Sequence, residues 1–341
     1  MPPNYQWMPA NPETVHAGKT DPDQVIPPGF VRQTAWASLA RNPPEARPPD
    51  LQGVYIEPIP PPPAAPDWQP ILWRWADTWR RDSIQRVITG GGFPAYRFEV
   101  SQCDKASPGT AGDHPRAELF SVDPAEKRRD RPAPEGSLGS LGDGDEYWAT
   151  FAIFIPSDFP VNQNWATLFQ RKLDDSYFAT PKDPNKPNVL NFMTWFTINV
   201  HKKSAGTEVD ASIPGYPAFV GAPGGAPIDV TICDLGEIAG QWAQFTVHEK
   251  LSSSGTDGAA DVTLKVANKP KKMVPVAPPP AKTFPVKDAN LPAGDVKGHF
   301  QYGYYRDNGL APGATLRPGT GVVYYTPLMF SRTVVNVPQL P

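Results

Sequence analysis

Nine stretches of this chain have the length and chemistry of β-strands, and almost nothing between them has the period of a helix. They are YRFEVSQ (96–102), RAELFSV (116–122), EYWATFAIFIP (146–156), WATLFQRKL (165–173) and VLNFMTWFTINVHKK (189–203), then QWAQFTVHEKL (241–251), ADVTLKVAN (260–268), GHFQYGYYRD (298–307) and GVVYYTPLMFSR (321–332). Each is rich in β-branched or aromatic residues and bounded by Gly, Pro, Asn or Asp. Strands in such succession, without helical spacers, pack as an all-β sandwich. EYWATFAIFIP is apolar at both odd and even positions, which predicts a central strand covered on both faces. Two segments break the pattern. ILWRWADTWRRD (71–82) and FVRQTAWASLARN (30–42), the latter with Val31, Ala35 and Leu39 in a stripe, have spacing compatible with short helices. Residues 123–143 and 269–294, rich in Pro and Gly, are expected to be long surface loops.

Proline divides the chain. Of its 45 prolines, 18 fall in the first 70 residues. The pairs Pro27-Pro28, Pro43-Pro44 and Pro48-Pro49 and the run Pro60 to Pro63 remove backbone donors and favour extended chain. Residues 1–66 therefore read as an extended arm and residues 67–341 as one domain, large enough to bury a core with 39% hydrophobic content over the whole chain. Composition admits either an unstructured tail or an arm laid along a partner. The scattered anchors Tyr5, Trp7, Phe30, Trp36, Tyr55 and Ile56 are what a docking arm requires, and docking is the reading adopted. A net charge of −3 gives no reason to expect nucleic acid or an anionic membrane as partner. The N-terminus MPPNYQWMPANPETVHAGK lacks a basic segment followed by an apolar one, so no signal peptide is expected, and no apolar run of about 18 residues predicts a membrane span. Two cysteines, Cys103 and Cys233, make no disulfide framework and read as structural.

Period-two alternation brings chemistry to one face of several strands. RAELF carries Arg116, Glu118 and Phe120 on one face. WATLFQRKL carries Gln170 and Lys172. MTWFTINVH carries Trp195, Thr197, Asn199 and His201, with Phe196, Ile198 and Val200 behind. HFQYGYY carries His299, Gln301 and Tyr305, and Arg306 follows as a further candidate contact. Alternation is what any half-exposed sheet shows. Four strands offering polar and aromatic groups together suggest a groove for a sugar polymer.

RAEL, FQRK and HFQYGYY, in that order, resemble the three signature strands of alginate-lyase-like and heparin-lyase-like polysaccharide lyases: Arg-x-Glu-Leu, Gln-x-His and Tyr-Phe-Lys-Ala-Gly-x-Tyr. The resemblance extends through YWATFAIFIPSDFP and the strand WAQFTVHEKLSSSG, covers roughly residues 70–335, and implies a concanavalin A-like β-jelly roll. It also implies the chemistry of that family, removal of the C5 proton of a uronic acid with expulsion of the 4-linked sugar. Hydrogen bonds must neutralise the neighbouring carboxylate before that proton is acidic enough, and a His or Tyr must move it. Carried over by position, Arg116 is the substrate clamp, Glu118 its orienting partner, Gln170 the neutraliser and Tyr305 the acid/base. Lys172 stands where the family has His, and a lysine near pKa 10.4 is a poor base at neutral pH. His299 and Gln301 replace the Tyr and Lys of the third strand. His201 or His114 are possible substitutes, although a strand-edge surface His is the commoner case.

Other motifs are thinner. GDGDE (142–146) offers Asp143, Asp145 and Glu146 to calcium but lacks the spacing of a recognised calcium loop, and no other cofactor is expected. EKRRDR (126–131) is a charge cluster that reads as solvated. A glycan-facing jelly roll acts outside the cell, and assembly into a virus particle would reconcile that with the missing export signal. The arm-plus-jelly-roll layout resembles a phage minor tail protein. On that reading the chain sits in the virion as a homo-oligomer, docks on other tail proteins through residues 1–66 and binds host cell-surface polysaccharide or wall glycan. An active lyase and a structural tail module with a vestigial groove are the alternatives. Lys172 in place of His favours binding over cleavage.

Overall fold

The computed structural model describes residues 31–32, 55–56, 69–70, 73–75, 83–88, 94–100, 115–121, 141–173, 194–203, 205–213, 227–284, 297–307 and 319–333. Among them run nineteen strands and no α-helix. The first ten are β1 (Val31–Arg32), β2 (Tyr55–Ile56), β3 (Gln69–Pro70), β4 (Trp73–Trp75), β5 (Ile84–Ile88), β6 (Pro94–Val100), β7 (Arg116–Ser121), β8 (Leu141–Gly142), β9 (Glu146–Phe154) and β10 (Trp165–Leu173). The rest are β11 (Thr194–Lys203), β12 (Gly206–Ile213), β13 (Ile228–Asp234), β14 (Trp242–Lys250), β15 (Gly258–Val266), β16 (Lys272–Ala281), β17 (Lys297–Arg306), β18 (Gly321–Tyr325) and β19 (Met329–Ser331).

They form two antiparallel sheets packed as a jelly-roll sandwich. One has ten strands in the order β1-β5-β6-β18-β9-β14-β15-β16, with β19 beside β9 and β3 beside β19. The other has nine, in the order β13-β12-β11-β10-β17-β7-β4-β2, with β8 beside β17. Strand β6 lies across from β7, and β16 across from β12 and β13. β15 shows the physical rule most plainly, its residues alternating between buried and half-buried along its whole length. β9 departs from alternation as its sequence predicts. Tyr147, Ala149, Phe151 and Ile153 enter the core, while Thr150 and Ala152 on the opposite face are also fully buried.

The core between the sheets is aromatic. Phe151 stacks near Phe169, with centroids 5.1 Å apart, and Tyr302 meets Tyr325 edge-on at 5.1 Å. A cation without any hydrogen-bond acceptor lies inside it. The Arg171 guanidinium sits 4.7 to 4.8 Å from the rings of Tyr147, Trp195 and Phe300, and none of its nitrogens has a hydrogen-bond acceptor. Three π-faces substitute for acceptors, and burial pushes the guanidinium down to about 9. Glu249, also fully buried, receives the Tyr147 hydroxyl, and burial pushes its carboxyl well above the ordinary range.

Several expectations need correction. Residues 73–75, inside the segment read as a helix, are strand β4, paired with β2 and β7. The 30–42 segment begins with β1, which pairs Val31 with Ile88 and Arg32 with Val87, and the remainder of it lies outside the described residues. The stretch 269–294, expected as a loop, contains the ten-residue β16. Strands β5, β12 and β13 fall in stretches not expected to be strands. The rest of the N-terminal arm, most of 123–143, Cys103 and His114 lie outside the described residues. Cys233 is buried, and burial raises its thiol to about 12, which suits an inert structural cysteine.

A histidine clamp on the outer side of the ten-stranded sheet ties three strands together. His248 of β14 bonds Asp261 of β15 through Nδ1 at 2.7 Å and Glu146 of β9 through Nε2 at 2.9 Å, and it stacks on Trp148 at 4.5 Å. Burial disfavours its charge, but the two carboxylate bonds outweigh burial and raise its pKa above the ordinary imidazole value. A raised folded value means the stabilisation is complete below about 6.5, the unfolded value, and is lost as pH climbs through the folded one. His248→Gln is expected to cost about 1 kcal/mol at pH 6 and less at pH 9. Thermal melts of both proteins across that range check it, and a deficit that grows with pH would refute it.

Candidate functional site

Register decides what shares a face. In the nine-stranded sheet Arg116 pairs with Tyr305, which pairs with Thr167, which pairs with Asn199, which pairs with Asp210. One step along, Gln301 pairs with Gln170 and Gln170 with Thr197. A further step pairs His299 with Lys172 and Lys172 with Thr194. Cross-strand partners lie on the same face, so these rows line the outer side of the sheet. Their inner neighbours Ala117, Phe169, Ile198 and Tyr302 belong to the core.

Two irregularities in β10 hold this arrangement. Leu168 is an extra residue relative to β11, and Gly303 and Tyr304 of β17 together oppose it on the other side. Gly303 has φ +144° and faces Glu118 of β7. From the opposite sheet the buried Tyr325 hydroxyl reaches the carbonyls of Leu168 and Gly303, at 3.0 and 2.5 Å. The bulged backbone is thus capped from within the core, and Thr167 and Gln170, three residues apart, both emerge on the outer face.

At the centre of that face stands a connected polar cluster. Arg116 Nη1 is 3.7 Å from Glu118 Oε2, with only 10% and 1% of the two side chains exposed. Gln170 Nε2 donates to Glu118 Oε1 at 2.6 Å and to Gln301 Oε1 at 2.8 Å. The Arg116 guanidinium lies 4.1 Å over the Tyr305 ring, and Trp165 meets that ring edge-on at 4.9 Å. Burial raises the Tyr305 phenol above its ordinary value, while Arg116 beside it pulls the other way. Thr167 donates to Asn199 Oδ1, and Asn199 Nδ2 to Thr197, both at 2.7 Å.

Beyond Asn199 the face becomes ionic. His201 Nδ1 lies 2.8 Å from Asp210 Oδ2, and Lys203 Nζ bridges Asp210 at 3.2 Å and Glu208 at 2.8 Å. Burial opposes the charge of Asp210, but His201 and Lys203 outweigh it and hold its carboxyl below the ordinary value. His201, Asp210 and Asp229 bring possible metal-ligand atoms within 4.8 Å of one another, the one such group among the described residues. Lys203 already supplies the cation there. In GDGDE each carboxylate serves a different partner. Asp143 accepts from Ser253, Asp145 from the Gly142 amide and Arg332, and Glu146 from His248.

Of the residues expected on this face, Arg116, Glu118, Gln170, Lys172, Asn199, His201, His299, Gln301 and Tyr305 lie there. Two do not. Trp195 is fully buried against Phe284 and the Arg171 guanidinium, because it is an extra residue where Arg171 pairs with Phe196 and Lys172 with Thr194. Arg306 is fully buried and turned inward, its Nη1 donating to the Tyr304 hydroxyl and the Gly319 carbonyl. The sequence reading missed Trp165, Thr167, Lys203, Glu208 and Asp210. Asp210 and Glu208 belong to β12, whose alternation in GTEVDASI was the available signal. A cavity of about 390 Å³ opens beside Pro156, Phe159, Gly206, Asp234 and Leu235 and includes no member of the central cluster.

The polysaccharide lyase family model matches residues 68–326. No curated protein matches the chain. Among solved structures, an endo-β-1,4-glucuronan lyase from the fungus Trichoderma reesei shares 15% identity, over 73% of this chain and 87% of that one, with a TM-score of 0.45. An alginate lyase from Pseudomonas aeruginosa shares 18%, over 74% and 86%, at 0.41. The alginate lyase Aly36B, in a mutant form bound to alginate trisaccharide, shares 15%, over 75% and 86%, at 0.42.

Proposed function

The chain belongs to the polysaccharide lyase family, and from that premise we propose that the outer face of its nine-stranded sheet binds a uronate-containing polysaccharide and cleaves it by β-elimination. The observation that carries the reading is the Arg116 guanidinium 4.1 Å over the Tyr305 ring, on a floor fixed by Glu118 and Gln170. A positive charge there attracts a sugar carboxylate and lowers the cost of ionising the phenol beside it. Tyr305 takes the C5 proton. The electron pair of the broken C5–H bond forms the C4=C5 double bond, the bond from C4 to the glycosidic oxygen breaks, and that oxygen leaves with a proton returned by Tyr305. Lys172 and His299, opposite each other at the far end of the rows, continue the polar face along the polymer.

Incubation with alginate, glucuronan and host-wall glycans, followed by ultraviolet absorbance of the unsaturated product and by binding calorimetry, tests the proposal. Binding with product supports it. Absence of binding to every acidic polymer overturns it. Binding without product would overturn the cleavage step and leave a glycan-binding module.

The proline-rich segment 1–66 supports a placement for this activity. The domain serves as a minor tail component of a phage virion, homo-oligomeric there, with the part of that segment outside β1 and β2 docked on other tail proteins and the sheet face turned to the host surface. Immunogold labelling of purified particles with antibody to the domain tests the placement, and unlabelled particles would refute it.

A further inference from the structure

A carboxylate accepts hydrogen bonds and cannot donate them, and at Glu118 this fixes the direction of two amides in succession. The atom of Gln170 that lies 2.6 Å from Glu118 Oε1 must be its Nε2. That nitrogen carries a second hydrogen, which reaches Gln301 at 2.8 Å, so the Gln301 atom there must be Oε1. Both donors of Gln170 are then consumed inside the sheet. Gln301, although only 7% exposed, is left with its Nε2 unpartnered among the described residues, and that nitrogen is not one of the sealed, unsatisfied atoms of the interior. It is a donor held in place by its own oxygen and presented at the surface of the site.

We propose that Gln301 Nε2, rather than the amide of Gln170, is the donor that neutralises the sugar carboxylate, and that Glu118 is the positioning residue that makes it so. The proposal rests on the reading of this face as an acidic-glycan site. Electrostatics require some such device, because an acidic sugar must approach a floor that itself holds a carboxylate. Arg116 balances the charge of Glu118 from one side and Gln170 covers its oxygen from the other. The sugar therefore meets the outward N–H of Gln301 in place of a bare anion. An amide donor placed by a rigid chain of bonds loses little entropy on binding.

The test uses the full chain with glucuronan oligosaccharide and, as a control, the neutral β-1,4-glucan of the same length. Gln301→Leu is expected to weaken glucuronan binding by about tenfold to a hundredfold, the effect of a lost bond to a charged group, and to leave any glucan binding unchanged. Glu118→Gln, which can donate as well as accept, releases the fixed direction and is expected to weaken glucuronan binding in the same sense. In the wild-type protein, glucuronan should shift the side-chain NH₂ resonances of Gln301 and leave those of Gln170 in place, a readout that needs no variant to fold. Wild-type binding with shifts at Gln170 alone, or undiminished binding by folded Gln301→Leu, overturns this inference and spares the reading of the face. Failure of the wild type to bind any uronate oligosaccharide overturns both.

Discussion

Tyr305→Phe is expected to lower the rate of unsaturated-product formation by about a hundredfold to ten-thousandfold, the range for loss of a positioned acid/base group, with the oligosaccharide dissociation constant nearly unchanged. The phenylalanine ring keeps the edge contact with Trp165 at 4.9 Å and the seat beneath the Arg116 guanidinium at 4.1 Å, so the face stays assembled and only the oxygen is lost. The pH profile supplies a second check. Burial raises the phenol, so only a small fraction is ionised at neutral pH, and turnover should climb as pH rises toward that raised value. Single-turnover rates with binding measured in parallel decide the matter. Product formation by Tyr305→Phe at the wild-type rate would remove Tyr305 from the mechanism.

Gly303→Ala is expected to destabilise the fold by about 3 kcal/mol or more, through backbone strain combined with overpacking. Its φ of +144° is a conformation that side-chain-bearing residues rarely adopt. An added Cβ would lie 2.3 Å from the Ala117 carbonyl oxygen, 2.8 Å from Glu118 Cα and 2.9 Å from Phe98, and two of those neighbours are backbone. Relief requires β7 to move away from β17, and β7 carries Arg116 and Glu118. Chemical denaturation of the variant should show the loss in midpoint, and glycan affinity should fall with it. A midpoint equal to that of the wild type would contradict the packing described for the bulge.

The faces of the nine-stranded sheet were legible because period two survives wherever the ladder is regular. Spacing put Arg116 with Glu118 and Gln301 with Tyr305 on one face of their strands, and the resemblance of the three strands to a known family brought them together with Gln170. Trp195 could not, since an extra residue in β11 shifts the alternation and nothing in TWFTINV announces it. Arg306 obeys the period it was denied: it is one residue from Tyr305 and so faces inward. β16 was hidden by Pro275 and the run Pro278 to Pro280, residues that argue against a central strand. As the last strand of its sheet it needs ladder donors on one side only, and that tolerance is confined to edges. The direction of the Gln170 and Gln301 amides lay beyond any sequence pattern, because it follows from a carboxylate two strands away in space.

The first two strands bear on how this family domain could be cut from its chain. β1 terminates the ten-stranded sheet and β2 the nine-stranded one, and both ends lie on the side where β6 faces β7. The N-terminal polypeptide thus borders both layers of the sandwich, although the family match begins only at residue 68. A chain started at that boundary would keep every residue of the polar cluster, yet leave the outer N–H and C=O groups of β5 and β4 without their neighbours. Bare rims of that kind are templates for pairing between molecules, so such a truncation invites self-association through its sheets while its outer polar cluster is still intact.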